Sequence, residues 1–152
     1  MSIARNDVGI WLINLPKDVE RRAKVEAQLA AMGLPCTLFP AINGSAEIEH
    51  LTRNADPEAY ARNMGSPLLP GKLGVFASHL AVWDALQASS HKAALILEDD
   101  VVFHDDFLQA LDTALANDDL WVLVRFTNIR AKLPVTHARF GPYRPDASAG
   151  PF

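Results

Sequence analysis

Ala93-Ala94-Leu95-Ile96-Leu97 is an apolar run that ends without transition in three carboxylates, Glu98-Asp99-Asp100. A run that is apolar along its whole length reads as a strand buried on both faces, the kind found in the middle of a parallel sheet. Such a strand delivers the next few residues to the carboxyl edge of the sheet, where open α/β folds place their ligands. Three carboxylates at one point repel each other. A divalent cation, which takes hard oxygen ligands, is the simplest remedy. In extended backbone Glu98 and Asp100 point one way and Asp99 the other. One ion is then held either by Glu98 and Asp100, or by Asp100 with waters and a substrate phosphate. The competing reading is a solvated acidic turn. The fully apolar strand in front of it favours the functional one.

The rest of the chain supplies the sheet and its helices. Val8–Leu15 reads as a first strand, again apolar on both faces, and Pro16-Lys17-Asp18 breaks it. Asp18 is placed to cap a helix through Met32, with Gly33 as its stop and Val25, Leu29 and Met32 as its buried stripe. Arg21, Arg22, Lys24 and Glu26 fill its wet side. Cys36–Phe39 is a second short strand, followed by an Asn43-Gly44 turn. Two short helices are expected at Ala46–Thr52 and Pro57–Asn63, in a loop-rich stretch of the kind that grips substrates. From Gly71 a strong helix runs to Ser89, with Val75, His79, Val82, Trp83 and Leu86 along one face. A lone histidine on such a face is most often a packed core residue. Asp105-Asp106 caps a further helix to about Ala116, and Leu120–Phe126 reads as another strand. Alternating strands and helices give an α/β sandwich with a mostly parallel sheet.

Length and composition narrow the possibilities. At 152 residues the chain suits one domain, 1–152, with 132–152 as an irregular Pro/Gly-rich tail. The net charge is −4 and no basic stripe with interleaved aromatics occurs, so no nucleic-acid partner is expected. No apolar run is long enough to span a bilayer. The N-terminus lacks the basic-then-apolar order of a signal peptide, so the expected location is cytoplasmic. Cys36 stands alone, which excludes an intramolecular disulfide and a cysteine-rich zinc cluster.

Several segments together resemble family 25 glycosyltransferases, the lipooligosaccharide biosynthesis proteins and collagen galactosyltransferase relatives. They are Ile13-Asn14-Leu15 followed by Glu20-Arg21-Arg22, then Ala41-Ile42-Asn43-Gly44, then Gly71–Trp83 with its Ser78-His79 pair, and Ala94–Val101. The resemblance covers roughly residues 8–130. It implies a GT-A-like, Rossmann-type α/β/α fold that binds a nucleotide-sugar donor, with a UDP-sugar expected. It further implies a DxD-like carboxylate cluster that holds a divalent metal ion, Mn2+, against the donor diphosphate. Glu98 and Asp100 are the metal candidates, with Asp99 as the alternative. Asn14, Arg21 or Arg22, Ser78, His79 and Asp99 are the donor-side candidates. Asn14 would hydrogen-bond the nucleotide, and an arginine would offer its guanidinium to phosphate or base. Ser78 would orient a loop, and His79 would contact the donor or the acidic cluster. The arginines also fit a solvated helix face.

The implied reaction is hexosyl transfer, with galactose as the sugar, to a saccharide or lipooligosaccharide acceptor, peripheral at the inner membrane. Lys72 and Phe76 depart from the residues usual in the family. The family domain also continues well past Phe126, and that part would carry acceptor contacts and the general base. Asp105, Asp106 and Asp146 read as capping or tail residues, so no carboxylate is assigned as the base. The chain then reads as shortened at its C-terminus. Exposed sheet edges would favour a homo-oligomer, and a catalytically incomplete donor-binding module is the second reading. A receiver-like domain is disfavoured because its acidic pair would come after the first strand.

Overall fold

Val8–Asn14 (β1) is buried at every one of its positions, and that burial fixes its place at the centre of the sheet. In the computed structural model, which describes residues 3–53 and 55–126, β1 pairs in parallel with Thr37–Pro40 (β2) on one side and Ala93–Glu98 (β3) on the other. The order among the described strands is β2-β1-β3. Among the described strands the central position thus belongs to β1, and not to the acidic strand as its composition predicts. β3 has one neighbour among the described strands, and its burial alternates accordingly: Ala93, Leu95 and Leu97 are buried, Ala94 and Ile96 half-buried.

Val19–Ala31 (α1) connects β1 to β2. Ile48–Thr52 (α2), Pro57–Met64 (α3) and Pro70–Gln87 (α4) lie between β2 and β3. The two crossovers run in opposite directions along the sheet, so the right-handed rule puts α1 and α4 on opposite faces. On the α4 face, Trp11 and Ile13 form a core with Val82, joined by Phe39, Leu86, Ala94 and Ile96. Leu12 points to the other face, toward which α1 buries Val25 and Leu29. This is the expected α/β, Rossmann-like sandwich. Among the described residues no helix is long and apolar enough to cross a membrane.

The structure departs from expectation in several local features. Asp18 does not cap α1 with its side chain, and Asp106 does not cap Phe107–Ala116 (α5). Asp56 does cap α3, accepting from the Ala59 N–H at 2.8 Å. Gly33 ends α1 at φ 69°, a left-handed conformation that favours glycine. The buried face of α4 is Leu73, Gly74, Ser78 and Val82, while Val75 and Trp83 are exposed. A face of small residues lets this helix approach its neighbours closely, which the larger side chains would prevent.

The chain divides into two compact units, one of them Val8–Val102. Of the described residues, 3–7 and 103–126 belong to the other. There Ala110, Leu111 and Leu115 of α5 are buried. Arg5 hydrogen-bonds Asp112, and this contact holds the Asp112 carboxyl below its usual range. The expected strand at Leu120–Phe126 is absent. Asp118–Leu120 is a 3-10 turn, the Trp121 indole N–H donates to the Ala114 carbonyl at 2.8 Å, and Val122 is fully exposed. Strand propensity without a neighbouring strand does not make a ladder. The expected tail, 132–152, and Asp146 lie outside the described residues.

Candidate functional site

From β1 the chain moves to β2 on one side, then crosses to β3 on the other. The carboxyl ends of β1 and β3 therefore flank the point where strand order reverses, the place where open α/β sheets form a ligand crevice. Asn14 ends β1, and Glu98 ends β3 one register step away, paired with Ile13. The sheet alternation then sorts the side chains. Glu98 shares the α4 face with Ile13, and its Oε1 lies 3.4 Å from His79 Nε2. Asn14 points to the α1 face, where its Nδ2 donates to the Asp18 carbonyl at 3.1 Å and to Asp99 Oδ2 at 2.7 Å.

Arg21 completes the cluster. Its Nη2 is 2.8 Å from Asp99 Oδ1 and 3.1 Å from Asp100 Oδ2. The sequence leaves Arg21 and Arg22 as equals, and the structure brings in Arg21. Arg22 instead lies along its own helix, its Nε 3.7 Å from the Glu26 carboxylate. A signal for this was present: Arg21, Val25 and Leu29 are four residues apart, so Arg21 extends the buried stripe by one turn. It therefore projects past the sheet edge toward the carboxylates. Asp100 sits with Asp99 on the Arg21 side, because the strand ends at Glu98 and Asp99–Asp100 form a turn. The expected alignment of Glu98 with Asp100 assumed extended backbone that stops one residue too early.

Two buried polar atoms here lack a hydrogen-bond partner, Asn14 Oδ1 and Arg22 Nε. An unsatisfied buried acceptor on a residue only 2% exposed costs about 1–3 kcal/mol, and its retention beside a crevice is what a functional site leads one to expect.

Ser78 is fully buried. Its hydroxyl donates to the Gly74 carbonyl at 2.7 Å and accepts from the Ile42 N–H at 2.8 Å. These bonds tie the loop at Ile42 to α4, the contact through which Ser78 is expected to orient a loop. Gly44 and Gly74 tighten the same junction. A Cβ on Gly74 would sit 2.5 Å from the Ile42 carbonyl oxygen and 2.6 Å from Gly44 N. This loop-to-helix contact was not foreseen, although small residues at 74 and 78, one turn apart, are its signature. Ser78→Ala is expected to lower stability by about 1–2 kcal/mol, checked by denaturant titration. Ser78→Thr, which keeps the hydroxyl in a buried site without room for a methyl, gives no rescue.

Glu98 and Asp100 are exposed carboxylates, the ligand type that a divalent ion takes. Among the described residues no three His, Cys, Asp or Glu side chains are grouped to hold an ion alone. An ion at this edge would need further ligands from a phosphate-bearing ligand and water, the usual arrangement for magnesium-like ions.

This geometry coincides with a match to the family model described as glycosyltransferase family 25 (LPS biosynthesis protein), over residues 8–137. The chain belongs to glycosyltransferase family 25. One relative, a glycosyltransferase 25 family member of Aedes aegypti, is 32% identical over 118 residues, covering 69% of this chain and 19% of the relative. Procollagen galactosyltransferase 1 of Danio rerio is 27% identical over 110 residues, 70% of this chain and 18% of the relative. Inactive glycosyltransferase 25 family member 3 of Mus musculus is 28% identical over 107 residues, 68% and 18% respectively. The chain thus spans about a fifth of the length of these family 25 relatives.

Proposed function

We propose that this chain is the donor-binding part of a metal-assisted glycosyltransferase. It takes a UDP-sugar and serves transfer of the sugar, galactose, to a saccharide hydroxyl in lipopolysaccharide or lipooligosaccharide synthesis. The observation that carries this reading is the Asn14–Asp99–Arg21 constellation at the carboxyl ends of β1 and β3. It supports the reading because a guanidinium anchored on a fixed carboxylate stands at the sheet edge where a family 25 chain is expected to bind its donor. The family description and a relative named as a galactosyltransferase support the acceptor class and the sugar. A cytoplasmic setting belongs to the same reading, in keeping with the free Cys36.

The roles follow from position. Asp100, the exposed carboxylate on the Arg21 side, would hold a divalent ion, Mn2+, together with water and the donor phosphate. The ion would supply Lewis-acid neutralisation of the departing diphosphate. Glu98, on the α4 face beside His79, would be a separate carboxylate at the same edge. Arg21 offers a second positive charge to the diphosphate oxygens. Asn14 fixes Asp99, and Asp99 fixes Arg21. His79 neighbours Glu98 and orients it, and Ser78 holds the Ile42–Gly44 loop against α4. A general base is assigned to no described residue, and a relative carries the name inactive. Together these favour a second reading, a donor-binding module without turnover.

Calorimetric titration of UDP, GDP and CMP with and without Mn2+ tests both. UDP is expected to bind with Mn2+, and Asp100→Ala to weaken that binding at least about tenfold. If no nucleotide binds even with metal, the donor-site reading fails. If UDP binds but the sugar nucleotide is neither hydrolysed nor transferred, the module reading replaces the enzyme.

A further inference from the structure

Arg21 touches two carboxylates that differ in every respect relevant to its hold on them. The Asp99 side chain is 11% exposed, lies 2.8 Å from the guanidinium, and is pinned from its other oxygen by Asn14. The Asp100 side chain is 64% exposed and lies 3.1 Å from the same nitrogen. The inner bond is preorganised and partly shielded from water. The outer one is a surface ion pair, weak and readily exchanged.

Asp100 is also a carboxylate that the donor-site reading gives to the divalent ion. With Arg21 on it, Asp100 already has a cation, and a second positive charge on the same carboxylate is repelled by the first. A nucleoside diphosphate resolves the conflict. Its oxygens attract the guanidinium more strongly than one solvated carboxylate does, because they carry more charge and accept the planar N–H fork. We infer that Arg21 is a pivoting placeholder cation. It stays on Asp99 and passes its outer hydrogen bond from Asp100 to the incoming diphosphate, and so frees Asp100 for the ion. The inference rests on the donor-site reading and adds a coupling to it: the free protein holds the metal poorly, and the nucleotide opens the metal position. Such couplings are reciprocal, so the ion held on the freed Asp100 in turn retains the diphosphate.

Binding of Mn2+ alone, followed by loss of the free-ion paramagnetic resonance signal, tests this on the full chain without relying on turnover. Arg21→Gln is expected to bind Mn2+ about tenfold more tightly than the native protein in the absence of nucleotide. The same variant is expected to bind UDP about tenfold more weakly in the presence of Mn2+. Lys24→Gln removes the same charge from the exposed side of α1 and leaves Mn2+ affinity unchanged, which separates a local exchange from a general change in field. Thermal melts of both variants establish that they are folded; each changes an exposed side chain. Equal Mn2+ affinity in Arg21→Gln and the native chain, with UDP bound by both, overturns the placeholder role and leaves the donor site standing. Absence of UDP binding in the native chain with Mn2+ sinks the donor site, and the placeholder role with it.

Discussion

Leu12→Ala lowers the stability of the folded chain by about 3–4 kcal/mol, the middle of the range for a buried leucine cut to alanine. Leu12 is fully buried at the middle of the central strand. It is flanked by β2 and β3 through the pairs Leu12↔Leu38 and Leu12↔Leu97. A cavity there has backbone on both sides, held by two parallel ladders, so the surroundings collapse little and most of the lost contact is felt. The same substitution at Leu38, an exposed position of the edge strand β2, costs under about 1 kcal/mol. Urea titration followed by circular dichroism reads both. A Leu12→Ala loss below about 1.5 kcal/mol would mean that β1 is not the structural centre of this fold.

Gly44→Ala is the second large effect, and its cause is backbone against backbone. A Cβ at this position would lie 1.8 Å from the Pro70 carbonyl oxygen, 2.7 Å from its carbonyl carbon and 2.8 Å from Gly74 N. None of these atoms can rotate away, so the loop or the start of α4 has to move. The expected cost is about 3 kcal/mol, the upper end for overpacking. Moving the loop also pulls Ile42 N from the Ser78 hydroxyl. Gly71→Ala is the matched control: in the first turn of α4, its Cβ meets nothing within 4 Å. It leaves stability unchanged or raises it by about 0.5–1 kcal/mol, since alanine replaces glycine in a helix. Melting curves for the pair settle the matter, and similar curves would show that the loop does not rest on α4.

The range of the forces involved decides how much of this fold is legible in the sequence. β1 is legible because Val8–Ile13 are all apolar or small, and such a run has one economical use, a strand buried on both faces. The position of Glu98–Asp100 at the carboxyl end of a sheet strand is legible for a similar reason, through the rule that such a strand delivers the residues after it to the sheet edge. The buried face of α4 is not. Its choice of Gly74 and Ser78 over Val75 and Trp83 is made by a loop whose Ile42 lies 36 positions before Ser78, which no helical period encodes. The turn at Asp99 defeats the expected alignment of Glu98 with Asp100, since alternation holds only while the strand lasts. The strand expected at Leu120–Phe126 fails because β-branched and aromatic residues describe a surface that fits a sheet, and that preference alone forms no ladder.

Asn14 and Asp99, whose side chains meet, stand 85 positions apart. During synthesis at about 5–20 residues per second, Asn14 therefore waits roughly 4–17 seconds for Asp99 to be made. Over that interval a strand apolar on both faces has one hydrogen-bonding edge open to any other chain that can supply a strand. The arrangement that gives the crevice its chemistry is thus the one that makes the unfinished chain sticky. A ribosome-bound chaperone that shelters extended apolar segments has its natural point of action between the emergence of Asn14 and that of Asp99.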